Sequence, residues 1–570
     1  MHSLVYFSKK YLCGFIFFTI LINGIGLFFP LLRNDDPVLY ASIAKNIALT
    51  NNWIDLMHPL GSDWLDKPHL PFWITAISFK LLGINSFAYM LPGFIFNLMG
   101  GYYTYRLGKV FFNQSVGLLS ALIYFSAFHL QLSATIDIRA EAYLMGMIVP
   151  ACYYGYCYFI KDTIDIKNLI LGAVFTALAV MTKGLFTLIT IYGGLFIVWL
   201  VHLFNSQEAK SHALFSLFNL KQILKLILPI VLTLIFIFPE LLTLYLQFDI
   251  HPEKIIFGKT HVSGVKWFFW DSQFGRFFNT GPISRQDVSF GHYFFFIHTF
   301  MWAFLPWSVM FVVATYKIIR VEITKPSVLF LLTTFGVTFI LFSLTKFQLD
   351  YYTNIIMPFA AIICAKWLYL QRKNHAGVNN ILLKFQIYFS ILLMIIVLIL
   401  SYLIFSQWLL GVSLTCGGVI ALLFILFAHR DTLSKAIVYS VLSINLFFVF
   451  AMLIYGNIVV KYDAGYQISQ YLNEHKVQNV VDYRINSLTL EFYVLAKYSK
   501  ADNTNQLKFI KKPYYIVAYA DDGYALLNTN NTFKIVTKYS GATIDKVLGK
   551  LLDINKLNQE LTHYVVLEVR

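Results

Sequence analysis

The chain has 570 residues, of which 58% are hydrophobic and only 13% are charged, and its mean hydropathy is +0.65. This composition, with 55 phenylalanines and 36 tyrosines, excludes an ordinary soluble protein and is typical of a polytopic membrane protein. The net charge of +15 would also suit nucleic-acid binding, but the basic residues follow the membrane segments, so we expect no nucleic-acid partner.

Apolar segments long enough to cross a bilayer, about 20 residues each, recur along the first 460 residues. We predict about thirteen of them, at 11–32, 86–106, 115–133, 140–160, 168–182, 184–204, 224–247, 291–316, 327–344, 351–370, 382–405, 408–428 and 436–459. The first segment follows Lys9 and Lys10 and has no small-residue cleavage site, so we expect an uncleaved anchor. The five cysteines lie in or beside apolar stretches without paired spacing, which predicts buried thiols rather than disulfides.

Basic residues concentrate in alternate short loops, and cytoplasmic loops are the ones that carry such an excess of lysine and arginine. With a cytoplasmic N-terminus, the basic loops around Arg106, Lys317 and Arg372 all lie inside. The two long loops, 33–85 and 248–290, then lie outside, and so does the tail from residue 461.

The tail has a different character from the rest of the chain. Short β-branched and aromatic runs predict strands at 479–483, 488–496, 514–519, 533–538 and 564–569, with helices near 463–475 and 543–558. We therefore predict two domains, a transmembrane domain at 1–460 and a small extra-cytoplasmic α/β domain at 461–570.

Ionisable and aromatic residues collect on the predicted outer face. They are Asp35, Asp36, Asp55, Asp63, Asp66, Lys67, His69, Asp137, Arg139, Glu141, Lys183, Arg276, Lys346, Tyr351 and Tyr352. Asp36 could simply be a solvated helix end, whereas Lys183 and Lys346 are lysines on the side that the orientation rule disfavours. Because ionisable residues at membrane depth are costly, their concentration on one face indicates a functional site.

Cations beside a bilayer suit a phosphate or pyrophosphate group, and nearby carboxylates can orient a nucleophile, take its proton or hold a divalent cation. The sequence contains no Walker or Rossmann glycine pattern for a cytoplasmic nucleotide. An outward-facing group-transfer enzyme needs a donor already carried across the membrane. A polyprenyl-linked sugar phosphate fits that requirement.

Five stretches, in this order, carry a family resemblance: NDDPVLYASIAKNI, DWLDKPHLPFW, ATIDIRAEAY, MTKGL and TKFQLDYYTNIIMPFAA. Together they resemble the lipid A aminoarabinose transferases, within the dolichyl-phosphate-mannose-type protein mannosyltransferase superfamily. The resemblance implies the GT-C fold, a polytopic α-helical membrane protein with a C-terminal extra-cytoplasmic α/β domain. It also implies a multi-pass protein of the bacterial inner membrane whose active site faces the periplasm.

The resemblance further implies a reaction and roles for residues. The donor would be an undecaprenyl-phosphate-linked sugar and the acceptor a phosphate of lipid A, with membrane lipids around both. Asp35 and Asp137 would lie near the sugar carbon and the acceptor as catalytic residues. The donor phosphate would be held by Lys67, Arg276, Lys346, Tyr351 and Tyr352. Further candidates for the site are Asp36, Asp66, Arg139, Glu141 and Lys183.

This chain departs from the family pattern at three positions. His69 replaces the second proline of the DKPHLPFW motif, Asp66 stands where the family has glutamate, and Gln273 falls near a family histidine. A divalent metal is the one cofactor left open, with Asp66 as its candidate ligand. Two alternatives also stay open: a protein O-mannosyltransferase-like enzyme that uses a polyprenyl-phosphate sugar, and a lipid or sugar flippase, although a flippase would place polar residues at mid-membrane.

Overall fold

A computed structural model describes residues 9–32, 35–58, 62–161, 163–205, 220–283, 292–373, 380–405, 417–418, 431–529 and 533–570. The first part of the chain is helical. Its helices are Lys9–Ile25, Asp36–Thr50, Leu70–Leu82, Ser86–Phe111, Gln114–Phe125, Phe128–Thr135, Ala140–Phe159, Ile166–Lys183, Thr187–Asn205, Leu220–Phe236, Phe238–Leu244, Gly264–Lys266, Ser272–Phe278, His292–Ala303, Ser308–Glu322, Pro326–Leu344, Met357–Lys373, Asn380–Phe405, Thr432–Ile454 and Val460–Tyr462. Short 3₁₀-helical segments lie at Gly26–Phe28 and Asp350–Ile356. Short π-helical segments lie at Tyr245–Asp249, Trp267–Asp271 and Tyr455–Val459.

Six of the described helical segments are long and apolar enough to cross a membrane, and up to nine if each bent pair is one span. The predicted count of thirteen therefore stays a prediction, and nearly all of the predicted span 408–428 lies outside the described residues. Three predicted spans are bent, near residues 126, 237 and 305, by 63°, 43° and 109°. Pro239 and Pro306 lie at two of these bends, where a proline ring removes a backbone donor.

The helices pack closely through small residues, as membrane helices do when van der Waals contact replaces the hydrophobic effect. A Cβ added at Gly146 of helix Ala140–Phe159 would lie 2.8 Å from the Cα of Phe96 on helix Ser86–Phe111. Trp307 and Trp367 are fully buried among these helices. This packing fixes the helix ends that carry the polar residues.

The C-terminal part forms a five-stranded mixed sheet in the order β2-β1-β3-β5-β4. The strands are β1 (Asn479–Tyr483), β2 (Lys497–Ala501), β3 (Tyr514–Tyr519), β4 (Phe533–Gly541) and β5 (Thr562–Val569). β1 is parallel to β2 and β3, whereas β5 is antiparallel to β3 and β4. The accompanying helices are Ala464–Glu474, Leu488–Tyr493, Thr504–Leu507, Ala520–Thr529, Ile544–Gly549 and Ile554–Gln559.

Three details of the tail differ from the prediction. The predicted strand 488–496 is the helix Leu488–Tyr493, because Ser487 caps it by accepting the Leu490 N–H and because Phe492 packs into the core of the membrane part. β2 was not predicted, since KYSKA is a half-exposed edge strand with little apolar character. The single predicted helix at 543–558 is two short helices, the second capped by Asp553.

Candidate active site

One arginine gathers three carboxylates at the ends of two helices. Arg139 donates from Nε to Asp137 (2.8 Å), from Nη2 to Asp35 (2.8 Å) and from Nη1 to Asp36 (3.4 Å). Pro37 fixes the first turn of helix Asp36–Thr50, and Asp35 precedes it with an extended backbone. The Arg139 side chain is 7% exposed whereas that of Asp35 is 51% exposed, so the Asp35 carboxylate faces the outside of this cluster.

A second ion pair lies directly beside this cluster. Lys183, the last residue of helix Ile166–Lys183, pairs with the fully buried carboxylate of Glu141. The Lys183 ammonium lies 5.3 Å from the ring centre of Tyr351 and 4.9 Å from that of Tyr352, and the Arg139 guanidinium lies 4.9 Å from Tyr351. The Tyr351 ring therefore lies between the two cations, whereas the Tyr352 ring contacts Lys183.

The third group comes from the two long outer loops. Asp66 pairs with its neighbour Lys67 and with Arg276 of helix Ser272–Phe278. Burial alone would raise the pKa of Asp66, but the charges of Lys67 and Arg276 outweigh it and lower that pKa. Asp66 is therefore an ionised carboxylate held by two cations, and each cation keeps further N–H donors for an anion.

A cavity of about 640 Å³, measured with its open mouth, is lined by members of the second and third groups. Its polar lining includes Lys183, Arg276, Gln273 and Tyr352, and its apolar lining includes Phe186, Phe277, Leu341, Phe342, Phe347 and Ile355. Gly184 ends the lysine-bearing helix with φ +95°, and a Cβ added there would collide with the Gln273 side chain. The cavity can hold an anionic head at the cations and an apolar chain along the phenylalanines.

Of the residues that the resemblance and the further candidates assigned to the site, all except Lys346 lie in these three groups. Asp55, Asp63 and His69 of the outer loop lie outside them. The Lys346 side chain is exposed, and within the described part of the chain it joins none of the three groups above. Its backbone N–H donates to the Phe277 carbonyl at 3.1 Å, and its neighbours Thr345 and Phe347 line the cavity. Lys346 thus lies near the mouth rather than in the ion-pair cluster.

Sequence reasoning missed Tyr40, which is buried beside these groups. Burial raises its pKa, and the charges of Asp36 and Asp66 raise it further, so Tyr40 is a neutral hydroxyl within their reach. Its position four residues after Asp36 on one helix was the available signal, because residues four apart share a helix face.

His69 has a structural position outside the cavity lining. Its ring Nδ1 lies 3.0 Å from Glu240 Oε1, its Nε2 lies 2.9 Å from the Ile54 carbonyl, and its backbone N–H donates to the same carboxylate. Both side chains of the His69–Glu240 pair are fully buried. The pair connects the outer loop, two residues after Lys67, to helix Phe238–Leu244.

Replacing His69 with alanine is therefore expected to lower the stability of the protein rather than its affinity for a phosphate. The change leaves the buried Glu240 carboxylate without its imidazole partner, which costs about 3 kcal/mol. Thermal unfolding of the purified protein should show a lowered Tm, and the double variant His69→Ala/Glu240→Leu should recover part of it. Unchanged Tm with weakened donor binding would instead make His69 part of the site.

The residues around Asp66 do not fit a divalent metal site. Among the residues that the structure describes, no group of three or more His, Cys, Asp or Glu side chains is arranged to hold a metal ion. The Asp66 carboxylate is already paired with two cations, and the Gln273 amide nitrogen donates to Ser272 Oγ at 2.9 Å.

We expect the activity of the protein to survive strong chelation. The Asp66 carboxylate is already paired with two cations, and the Gln273 amide is a neutral and weak ligand for a divalent metal. The check is the transfer rate after exhaustive dialysis against a chelator, with the rate before dialysis as the reference. Loss of activity that a single divalent ion restores would contradict this interpretation.

Comparisons with known proteins match these observations. The family model described as dolichyl-phosphate-mannose-protein mannosyltransferase matches residues 66–235, which carry Asp66, Lys67, Asp137, Arg139, Glu141 and Lys183. The crystal structure of ArnT from Cupriavidus metallidurans bound to undecaprenyl phosphate superposes with a TM-score of 0.68, at 16% identity, over 98% of each chain. The chain has the ArnT fold. This confirms the predicted GT-C class of a multi-pass membrane protein with a C-terminal α/β part.

Two curated relatives extend the likeness to sequence. The undecaprenyl phosphate-alpha-4-amino-4-deoxy-L-arabinose arabinosyl transferase 2 of Proteus mirabilis (strain HI4320) is 24% identical over 351 residues, 59% of this chain and 55% of the relative. The corresponding transferase of Wigglesworthia glossinidia brevipalpis is 23% identical over 210 residues, 36% of this chain and 37% of the relative. The matches thus span about half the length of these relatives or less. The predicted resemblance to the aminoarabinose transferases is confirmed.

Proposed function

We propose that the chain transfers an aminosugar of the 4-amino-4-deoxy-L-arabinose type from undecaprenyl phosphate to a phosphate of lipid A. The observation that carries this proposal is a cavity lined by the cations Lys183 and Arg276 and by an apolar wall. Through the ring of Tyr351, Lys183 lies beside Arg139, which holds the exposed Asp35 carboxylate. The names of the two relatives, which contain the same donor, support it. A polyprenyl phosphate has the matching chemistry: an anionic head and a long apolar chain.

The donor phosphate would be bound by the cations on the loop side of the cavity. Lys67 and Arg276 flank Asp66, and each has N–H groups left for phosphate oxygens. The Tyr351 and Tyr352 hydroxyls and the Lys346 ammonium at the mouth would add further donors, and Lys183 would complement the charge. The phenylalanine-lined wall would take the first isoprene units.

Transfer would displace the prenyl phosphate from the anomeric carbon of the sugar. An acceptor oxygen forms the new bond to that carbon, while the old carbon–oxygen bond breaks and its electron pair leaves with the prenyl phosphate. Positive, oxocarbenium-like character develops on the sugar meanwhile. The carboxylates of Asp35 and Asp137, spaced by Arg139, would stabilise that charge and orient the acceptor. A lipid A phosphate is already ionised, so the carboxylate need not take a proton.

The same proposal assigns the two predicted domains. Residues 1–460 would be the transmembrane transferase domain in the inner membrane, with the outer loops 33–85 and 248–290 in the periplasm. Residues 461–570 would be a periplasmic α/β domain. Lys45 joins the two parts of the chain, because its ammonium donates to the carbonyls of Glu491, Phe492 and Val494 at 2.8–3.0 Å. A cation at these carbonyls stabilises the end of helix Leu488–Tyr493.

Mass spectrometry of lipid A tests the proposal in cells. Cells that express the chain should carry lipid A with the mass of an added aminosugar, and cells without it, or with Asp35→Asn, should not. An amino group added to lipid A would reduce its negative charge and hence its attraction for cationic antimicrobial peptides. Unmodified lipid A in cells that contain both the protein and its donor would contradict the proposal.

The match of a mannosyltransferase family model to 66–235 favours a second candidate, a polyprenyl-phosphate-sugar enzyme whose acceptor is a protein hydroxyl. That reaction needs a base for the hydroxyl proton, and its product is a glycosylated protein. Mass spectrometry of periplasmic proteins from the same cells would detect it. Sugar on proteins together with unmodified lipid A would favour this second candidate.

The orientation of the chain can be tested directly. Reporter fusions after Arg372 should be cytoplasmic, because Arg372 belongs to one of the short basic loops. Fusions after Lys461 should be periplasmic. Alkaline phosphatase and a fluorescent protein, at both positions, give opposite signals on the two sides. A cytoplasmic tail would contradict both the orientation and the use of a lipid-linked donor.

A further inference from the structure

The two short helices Ile544–Gly549 and Ile554–Gln559 lie against the ends of membrane helices. Val547 and Leu557 are buried in one apolar cluster with Leu32, Phe405, Tyr455, Ile458 and Val459. Leu32 follows the first candidate span, Phe405 ends the candidate span Ile381–Phe405, and 455–459 lies near the end of Thr432–Tyr462. The segment 543–561, which we name the interfacial segment, thus lies at the face of the membrane part that also carries Asp35.

Polar contacts fix this segment to the last span. The Tyr462 carbonyl accepts the Ala542 N–H at 2.9 Å, and the Tyr462 hydroxyl donates to Asn558 at 3.0 Å. A Cβ added at Gly541 would lie 2.6 Å from the Tyr462 carbonyl oxygen, so the two backbones approach closely. Lys550 pairs with Glu560 and ties the two short helices to each other. The segment is therefore held in place and does not hang from the sheet as a free loop.

The interfacial segment nevertheless leaves large apolar side chains uncovered. Leu548 is 47% exposed, Leu552 66% and Ile554 40%. The segment carries three lysines (Lys546, Lys550, Lys556) and three acids (Asp545, Asp553, Glu560), so its net charge is zero. Electrostatic attraction to anionic headgroups is therefore not what would hold it at a surface.

The neighbouring surface indicates what covers Leu548, Leu552 and Ile554. Helix Asn380–Phe405, whose Phe405 lies in the same cluster, has Tyr402 and Leu403 exposed at 57% and 54%. On a membrane-spanning helix, exposed apolar side chains face lipid and tyrosines lie at the membrane–water interface. The exposed leucines of the interfacial segment continue this surface past the end of the span, at the level where amphipathic helices bury an apolar face in the headgroup boundary.

We propose that the interfacial segment inserts Leu548, Leu552 and Ile554 into the lipid leaflet at the face that carries the candidate active site. The C-terminal α/β part thereby rests on the membrane surface. This position holds helix Leu488–Tyr493 against helix Asp36–Thr50, which Asp35 precedes as its N-cap residue. The occupant of this surface is the apolar boundary of the bilayer. The inference does not depend on which sugar or acceptor the protein uses.

Spin labels at one introduced cysteine at a time test the proposal in the full-length protein. Leu552→Cys and Leu548→Cys would be labelled in protein reconstituted into bilayers of phosphatidylethanolamine and phosphatidylglycerol, with the labelled parent as the blank. Collision rates with oxygen and with a water-soluble nickel complex report depth. Leu403→Cys serves as the lipid-facing reference. Phe509→Cys and Leu495→Cys, exposed at 89% and 74% in the same C-terminal part, serve as matched controls.

Labels at 552 and 548 should collide more with oxygen than with nickel, as the label at 403 does, whereas labels at 509 and 495 should favour nickel. Because the segment is neutral, the readings should not change when phosphatidylglycerol is omitted. Readings at both 552 and 548 like that at 509 would overturn the proposal. So would shielding from both reagents, which would indicate a protein partner on this surface.

Discussion

Replacing Asp35 with asparagine is expected to lower the transfer rate by about 10²–10³-fold while donor binding is largely kept. The substitution preserves the size of the side chain and removes its charge, which would otherwise stabilise positive character on the sugar. Asp35 is suited to this role because its side chain is 51% exposed and can reach a substrate. The buried Arg139, 7% exposed, fixes its position through an ion pair. Single-turnover rates and donor affinity, measured on the same preparation, separate the two effects.

Asp55→Asn provides the matched control for Asp35. Asp55 lies in the same outer loop and accepts a hydrogen bond from Asn52 at 2.8 Å, outside the three-carboxylate cluster. Its asparagine variant should retain the wild-type rate. Unimpaired turnover in Asp35→Asn would transfer the catalytic role to Asp137, the other carboxylate that Arg139 binds at 2.8 Å.

Replacing Lys67 with alanine is expected to weaken donor binding by about 100-fold, the worth of a charge-assisted hydrogen bond to phosphate. The loss also leaves Asp66 with Arg276 as its remaining partner in the cluster, which ties up that guanidinium further. Lys67→Arg should keep part of the activity, because it preserves the charge but not the shape of the ammonium group. Titration of the purified protein with undecaprenyl phosphate measures the affinity.

Lys254→Ala is the matched control for Lys67. Lys254 also comes from an outer loop and pairs with an aspartate, Asp63, at 2.9 Å, but that pair is separate from the group formed by Asp66, Lys67 and Arg276. We expect its alanine variant to bind the donor like the wild type. Equal affinity in Lys67→Ala and Lys254→Ala, at normal protein levels, would remove Lys67 from the donor site.

The membrane class and the composition of the site could be predicted because both depend on local sequence. Apolar length identifies spans, and ionisable residues at their outer ends are costly enough to indicate function. Asp35, Asp66, Asp137 and Lys183 were predicted in this way, and the structure places them in the three neighbouring ion-pair groups. Their partners were not predicted, because Glu141 and Lys183 are 42 residues apart and meet only through helix packing.

Other features depend on tertiary contacts that a local pattern does not contain. Glu240 lies within an apolar helix, and its role follows from His69, which is 171 residues away. The run 488–496 alternates like a strand, yet its first six residues form helix Leu488–Tyr493, which packs against helix Asp36–Thr50. Lys346 was assigned to the phosphate from its motif, but the structure leaves its side chain at the mouth of the cavity.

Reconstituted transfer is the most direct test of the proposed activity. Purified protein in lipid vesicles would receive undecaprenyl-phosphate-linked aminoarabinose and lipid A, with a peptide acceptor in a parallel reaction. We expect aminoarabinose-modified lipid A to form together with an equal amount of free undecaprenyl phosphate, and Asp35→Asn to form almost none. Donor that stays intact in the presence of lipid A, or sugar that passes only to the peptide, would contradict transfer to lipid A.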